Sequence, residues 1–88
     1  MKVEFKASFA KDLRAIKDKA LLARIKEAIE QVEQITDLQQ LVHLKKLKGT
    51  ANYYRLRVGE YRLGLAIDGE MVTFVRCLNR KEIYRYFP

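Results

Sequence analysis

Arginine recurs at alternate positions in Tyr54-Arg55-Leu56-Arg57-Val58, and Arg62 follows in Tyr61-Arg62-Leu63-Gly64 after the dipeptide Gly59-Glu60. A period of two is that of a half-buried strand, and two such runs joined by Gly-Glu read as a hairpin whose two-residue loop has glycine first, as a type II′ turn prefers. That loop fixes the register: Val58 opposes Tyr61, Arg57 opposes Arg62, Leu56 opposes Leu63 and Arg55 opposes Gly64. Like charges directly opposite each other destabilise a strand pair, so Arg57 and Arg62 are best tolerated with an anion between them. Guanidinium forks match phosphate oxygens, which favours a phosphodiester over diffuse charge attraction; the alternative is a solvated polar face on which each arginine turns away from its neighbours. Gly64, with no side chain, leaves the backbone beside Arg55 open to a ligand. Tyr54, Leu56, Val58, Leu63, Leu65 and Ile67 fall on the other face and read as core.

Two further basic stretches flank this hairpin. Leu44-Lys45-Lys46-Leu47-Lys48-Gly49 precedes it, and Asn79-Arg80-Lys81-Glu82-Ile83-Tyr84-Arg85-Tyr86-Phe87-Pro88 follows the last strand. Basic residues interleaved with aromatics can hold phosphates and stack bases. Ile83, Tyr84 and Phe87 can equally anchor the tail to the core.

Charge is distributed accordingly. Of the net +7, residues 1–44 contribute +1 (eight Lys/Arg against seven Asp/Glu) and residues 45–88 contribute +6 (ten against four). A cationic half of this kind attracts nucleic acid or an acidic protein. The chain has 88 residues, 49% of them hydrophobic and 33% charged, which suits one small globular domain over 1–88 and excludes a large multi-domain enzyme. One Cys and one His cannot form a disulfide or a four-ligand zinc site, so no metal or cofactor is expected. Charges at Lys2, Glu4 and Lys6 interrupt any signal-like apolar run, and no stretch is long enough to span a membrane. The cytoplasm is the expected compartment. His43 reads as a surface polar residue, Cys77 as core or sheet surface, and Tyr61 as core packing.

The elements that must position these residues follow from periodicity. Lys2 to Lys6 alternates as a short strand, and Ser8 is placed to cap a helix over Phe9 to Lys17, where Phe9, Leu13 and Ile16 form an apolar stripe. A second stripe, Leu22, Ile25, Ile29 and Val32, carries a helix to about Ile35. Thr36 to Gly49 shows no clean period and is assigned as loop. Asp68-Gly69 marks a second hairpin, leading into a strand over Met71 to Leu78. Past Ile67 the strand parity depends on the length of that turn, which leaves the faces of Arg76 and Cys77 open. The fold class is therefore α+β, in the order β-α-α-β-β-β, an antiparallel sheet with a two-helix hairpin packed on one face.

This order, the lysine-rich loop ending at Gly49, the strand Tyr54 to Leu63 with its Gly-x-Tyr-Arg turn, and the Arg80-Lys81-x-x-Tyr84 tail together resemble the RelE/ParE superfamily of toxin–antitoxin toxins, nearest the RelE branch. The resemblance spans essentially the whole chain. It implies a toxin with the RelE-like microbial ribonuclease fold that enters the ribosomal A site, cleaves mRNA without a metal and so inhibits translation. It also implies an acidic cognate antitoxin that wraps the toxin and carries any contact with promoter DNA. By position, Arg55, Arg57, Arg62, Arg80 and Tyr84 match the family's catalytic set, and Lys45, Lys46, Lys48, Lys81 and Arg85 are placed to contact RNA. For proton transfer the candidates are Tyr84, then Lys81 and Glu82, with arginine too strongly basic to take part. Many relatives carry His where this chain has Asn79, which can only orient or hydrogen-bond. Two other readings share the fold: a ParE-like inhibitor of DNA gyrase, and a catalytically silent antitoxin-binding module.

Overall fold

The computed structural model describes residues 1–88. In chain order the elements are β1 (Lys2–Phe5), α1 (Ala7–Arg14), α2 (Lys19–Gln34), a 3-10 turn (Leu38–Gln40), β2 (Leu44–Lys46), β3 (Tyr53–Val58), β4 (Tyr61–Asp68), β5 (Met71–Asn79) and α3 (Arg80–Tyr86). The strands form one sheet in the order β1-β5-β4-β3-β2.

Register follows loop length in the central hairpin. Val58 pairs with Tyr61, Arg57 with Arg62, Leu56 with Leu63 and Arg55 with Gly64, as the two-residue loop requires. Gly59 takes φ +59°, which only glycine adopts without strain. The next hairpin repeats the device one residue later than the sequence suggests: Asp68 still pairs with Met71, so the loop is Gly69-Glu70. Gly64 pairs with Arg76 and Leu65 with Phe74, leaving Val75 as a bulge. That extra residue settles the open parity, and Cys77 faces the core at 1% exposure.

Phe9 from α1 and Ile25 and Val32 from α2 pack on Leu56, Val58, Leu63, Leu65, Val72 and Phe74 from the sheet. Burial of these stripes holds the helices to one face, since each apolar side chain taken from water contributes about 1.5–3 kcal/mol. Asp18 caps α2, accepting hydrogen bonds from Ala20 N and Leu21 N.

Four expectations are corrected. The sheet is mixed, because β1 runs parallel to β5, with Lys2 opposite Met71 and Phe5 opposite Phe74. The Thr36–Gly49 segment holds a 3-10 turn and strand β2, which pairs with β3. Helix α1 starts at Ala7 and ends at Arg14, and Ser8 does not cap it: its Oγ donates to Val75 O (2.6 Å), while Asp12 Oδ2 accepts from Cys77 N (2.9 Å). Both side chains thus satisfy the edge of β5 where β1 has ended. Finally, the chain end is helix α3. It lies on the face opposite α1 and α2, with Ile83 and Phe87 buried outside the main core cluster.

Candidate phosphate-binding site

On the α3 face, the ends of β2, β3 and β4 surround an open hollow of about 350 Å3. Alternation along β3 and β4 delivers Arg55, Arg57 and Arg62 to it, and α3 delivers Tyr84. Lys45 joins them because β2 pairs it with Arg55. Two like-charge pairs, Lys45 with Arg55 and Arg57 with Arg62, therefore lie side by side. The ion pairs of the chain are Arg76 with Asp12 (2.8 Å) and Arg80 with Glu60 (3.2 Å), and neither neutralises a residue of the hollow.

Each cation is held differently. The Arg62 guanidinium donates to Gly59 O and Tyr61 O, both at 2.9 Å, so the carbonyls of its own turn orient it. Arg55 lies over the Tyr84 ring, 4.5 Å from its centre, a cation–π contact that fixes both. Arg57 reaches the only imidazole of the chain, with its terminal nitrogen 3.0 Å from His43 Nδ1. The Gly64 backbone, expected to stay open for a ligand, is covered instead by Phe87: a Cβ at Gly64 would lie 2.8 Å from the ring. Phe87 also meets Tyr53 edge-on at 5.5 Å.

The remaining expected residues are not brought together there. Arg80 opens α3 and pairs with Glu60 on the hairpin turn; the pair is exposed, so opening it costs at most about 1 kcal/mol. Lys46 lies opposite Tyr54 and so falls on the other face from Lys45. Lys48, Lys81 and Arg85 do not line the hollow. Asn79 caps α3, its Oδ1 accepting from Lys81 N and Glu82 N, while its amide donates to Glu82 Oε1 (2.8 Å). Glu82 is thus used in closing the helix start. Burial and the neighbouring Asp12 charge push the Cys77 thiol up to about 12, which leaves it inert as a nucleophile. Val42, which the sequence did not single out, and His43, expected as a surface polar residue and exposed here, also line the hollow. The usable signal was the alternation His43-Leu44-Lys45, with Leu44 turned inward.

What the arrangement can do is bind a phosphate and stabilise extra negative charge on it, with Tyr84 and His43 as groups able to carry a proton. Fold and site define a small cationic α+β domain with an open anion-binding hollow. The family model described as "ParE toxin of type II toxin-antitoxin system, parDE" matches residues 3–84. The chain is 45% identical over 89 residues to Toxin RelE3 of Methanocaldococcus jannaschii, covering the whole of both. Its fold superposes with a TM-score of 0.80 on a chain of the RelB-RelE antitoxin-toxin complex from Methanococcus jannaschii, at 42% identity, covering 96% of this chain and 98% of that one. The YoeB dimer from Staphylococcus aureus, at 21% identity and a TM-score of 0.73, covers 91% of this chain and 97% of its own and shares the fold. The chain belongs to the RelE/ParE superfamily of toxins of type II toxin–antitoxin systems.

Proposed function

We propose that this toxin is a ribosome-dependent endoribonuclease that cleaves mRNA in the A site. The observation that carries the reading is the uncompensated cluster of Arg55, Arg57 and Arg62 beside Tyr84 in one hollow. The 2′-oxygen attacks the adjacent phosphate in line, giving a 2′,3′-cyclic phosphate and a free 5′-hydroxyl. The phosphorane carries additional negative charge, and Arg62, already oriented by Gly59 O and Tyr61 O, needs no rearrangement to receive it. Arg57 meets the same phosphate from the opposite strand. Arg80 can leave Glu60 at small cost and reach toward the RNA as it enters. Lys45 at the rim, with Lys46, Lys48, Lys81 and Arg85 around it, supplies attraction for the polyanion of mRNA and ribosome. The relative from Methanococcus jannaschii is solved with RelB, which supports an antitoxin partner for this chain. An acidic antitoxin covering the arginine face would block RNA.

The test is primer extension on mRNA in a purified translation system, comparing wild type with Arg62→Ala and Tyr84→Phe. Wild type is expected to cut within A-site codons, and Arg62→Ala to lose about 10²–10³-fold, the usual cost of one charge-stabilising donor. Uncut mRNA with normal translation overturns the reading, and inhibition of gyrase supercoiling by the same protein would then favour the ParE-like alternative.

A further inference from the structure

The chain has one histidine, and it stands in this hollow immediately before β2. Two contacts to Arg57 fix it: its carbonyl accepts from Arg57 N (3.1 Å), and its Nδ1 lies 3.0 Å from an Arg57 guanidinium nitrogen. An arginine side chain has no lone pair to offer, so Nδ1 is the acceptor and the ring proton sits on Nε2. Lys45, Arg55, Arg57 and Arg62 from the sheet and Tyr84 from α3 line the same hollow as His43, while α2 contributes the uncharged Ala28 and Gln31 to the adjoining one. The arginines cannot exchange a proton near neutrality, and imidazole is the side-chain type that does so unaided.

We propose that His43 is the proton acceptor of the cleavage reaction, with Arg57 covering its Nδ1 lone pair until a phosphate arrives; this rests on the ribonuclease reading above. Arg57 is exposed and its bond to His43 is a surface contact, so a phosphate competes well for the guanidinium. When Arg57 turns onto the phosphate oxygens, Nδ1 is uncovered beside the reacting group. The 2′-hydroxyl proton passes to Nδ1 as the O2′ electron pair forms the bond to phosphorus. The P–O5′ bond breaks with its electron pair on O5′, which takes the Tyr84 hydroxyl proton. The imidazolium then returns its proton through water to the Tyr84 phenolate, so both residues end as they began and one proton has moved from O2′ to O5′. The single guanidinium thereby links phosphate binding to release of the base.

Single-turnover cleavage of ribosome-bound mRNA, followed between about pH 6 and 8.5 for wild type, His43→Gln and Arg62→Ala, tests this. Glutamine still accepts a hydrogen bond from Arg57 but takes no proton. The wild-type rate should fall with unit slope on the acid side, and His43→Gln should be about 10²–10⁴-fold slower with that limb gone. Arg62→Ala should be slower at every pH with the limb retained. A wild-type profile flat below neutrality overturns the proposal, as does a His43→Gln profile that keeps the acid limb, whatever its rate. Active wild type indifferent to His43 overturns this inference alone; inactive wild type overturns the ribonuclease reading and this inference with it.

Discussion

The Phe87 ring covers Gly64 so closely that any β-carbon there would fall 2.8 Å from the ring. Gly64 sits opposite Arg55, and Arg55 in turn holds the Tyr84 ring. The absence of one side chain on β4 therefore lets α3 settle on the arginine face and bring Tyr84 to the hollow. Gly64→Ala should push Phe87 off the sheet and cost about 1–3 kcal/mol, the usual effect of overpacking. Urea unfolding measures the loss, and hydrogen exchange should show α3 opening first. Unchanged stability and unchanged protection of α3 would mean that Phe87 does not anchor the helix.

Cys77 gives a pH dependence with a definite sign. Its thiol is raised from 9.0 to about 12, first by burial and second by Asp12. The folded state thus favours the neutral thiol, and the resulting stability is complete below pH 9 and is lost as pH rises from 9 toward 12. One such group steepens the alkaline loss by at most about 1.4 kcal/mol per pH unit. Cys77→Ala should be less stable at pH 7, because it leaves a small cavity, yet flatter across that window. Urea midpoints from neutral to alkaline pH check both, and parallel curves for the two proteins would refute the assignment. Alkylation of the native thiol at neutral pH should be slow for the same reason.

The parts of this molecule that were legible in the sequence are those decided locally. A two-residue loop dictated the Arg57–Arg62 pairing, and apolar stripes located α1 and α2. What was missed depends on partners distant in the chain. The parallel pairing of β1 with β5 joins Lys2 to Met71, and no local pattern distinguishes a parallel edge strand from an antiparallel one. Ser8 looks like a cap, but Val75 O lies on an edge that β1 leaves uncovered, and its part-buried carbonyl takes the Ser8 hydroxyl instead. β2 is three residues long, too short to reveal itself within the Thr36–Gly49 segment, so His43 just before it read only as a surface polar residue. Asn79 read as a missing catalytic histidine; in the fold it caps α3, a helix whose short span is held by that cap and by Ile83 and Phe87.

The opposed arginines predict a trade between stability and activity. Arg57 and Arg62 face each other with no carboxylate between them, so in the free protein their repulsion costs a few tenths to about 1 kcal/mol. Arg57→Gln should therefore unfold at a slightly higher temperature than wild type while losing most cleavage activity, as expected where a site carries strain for function. Added salt should stabilise wild type by screening the pair. Phosphate should stabilise it further than chloride at equal ionic strength, because a bound anion that bridges both guanidiniums favours the folded state by mass action. In Arg57→Gln the difference between phosphate and chloride should shrink, since half of the bridge is gone. Thermal melts of both proteins in matched buffers measure all of this. If phosphate and chloride act alike on wild type, the hollow does not select phosphate, and the arginines serve diffuse attraction to a polyanion instead of gripping one phosphodiester.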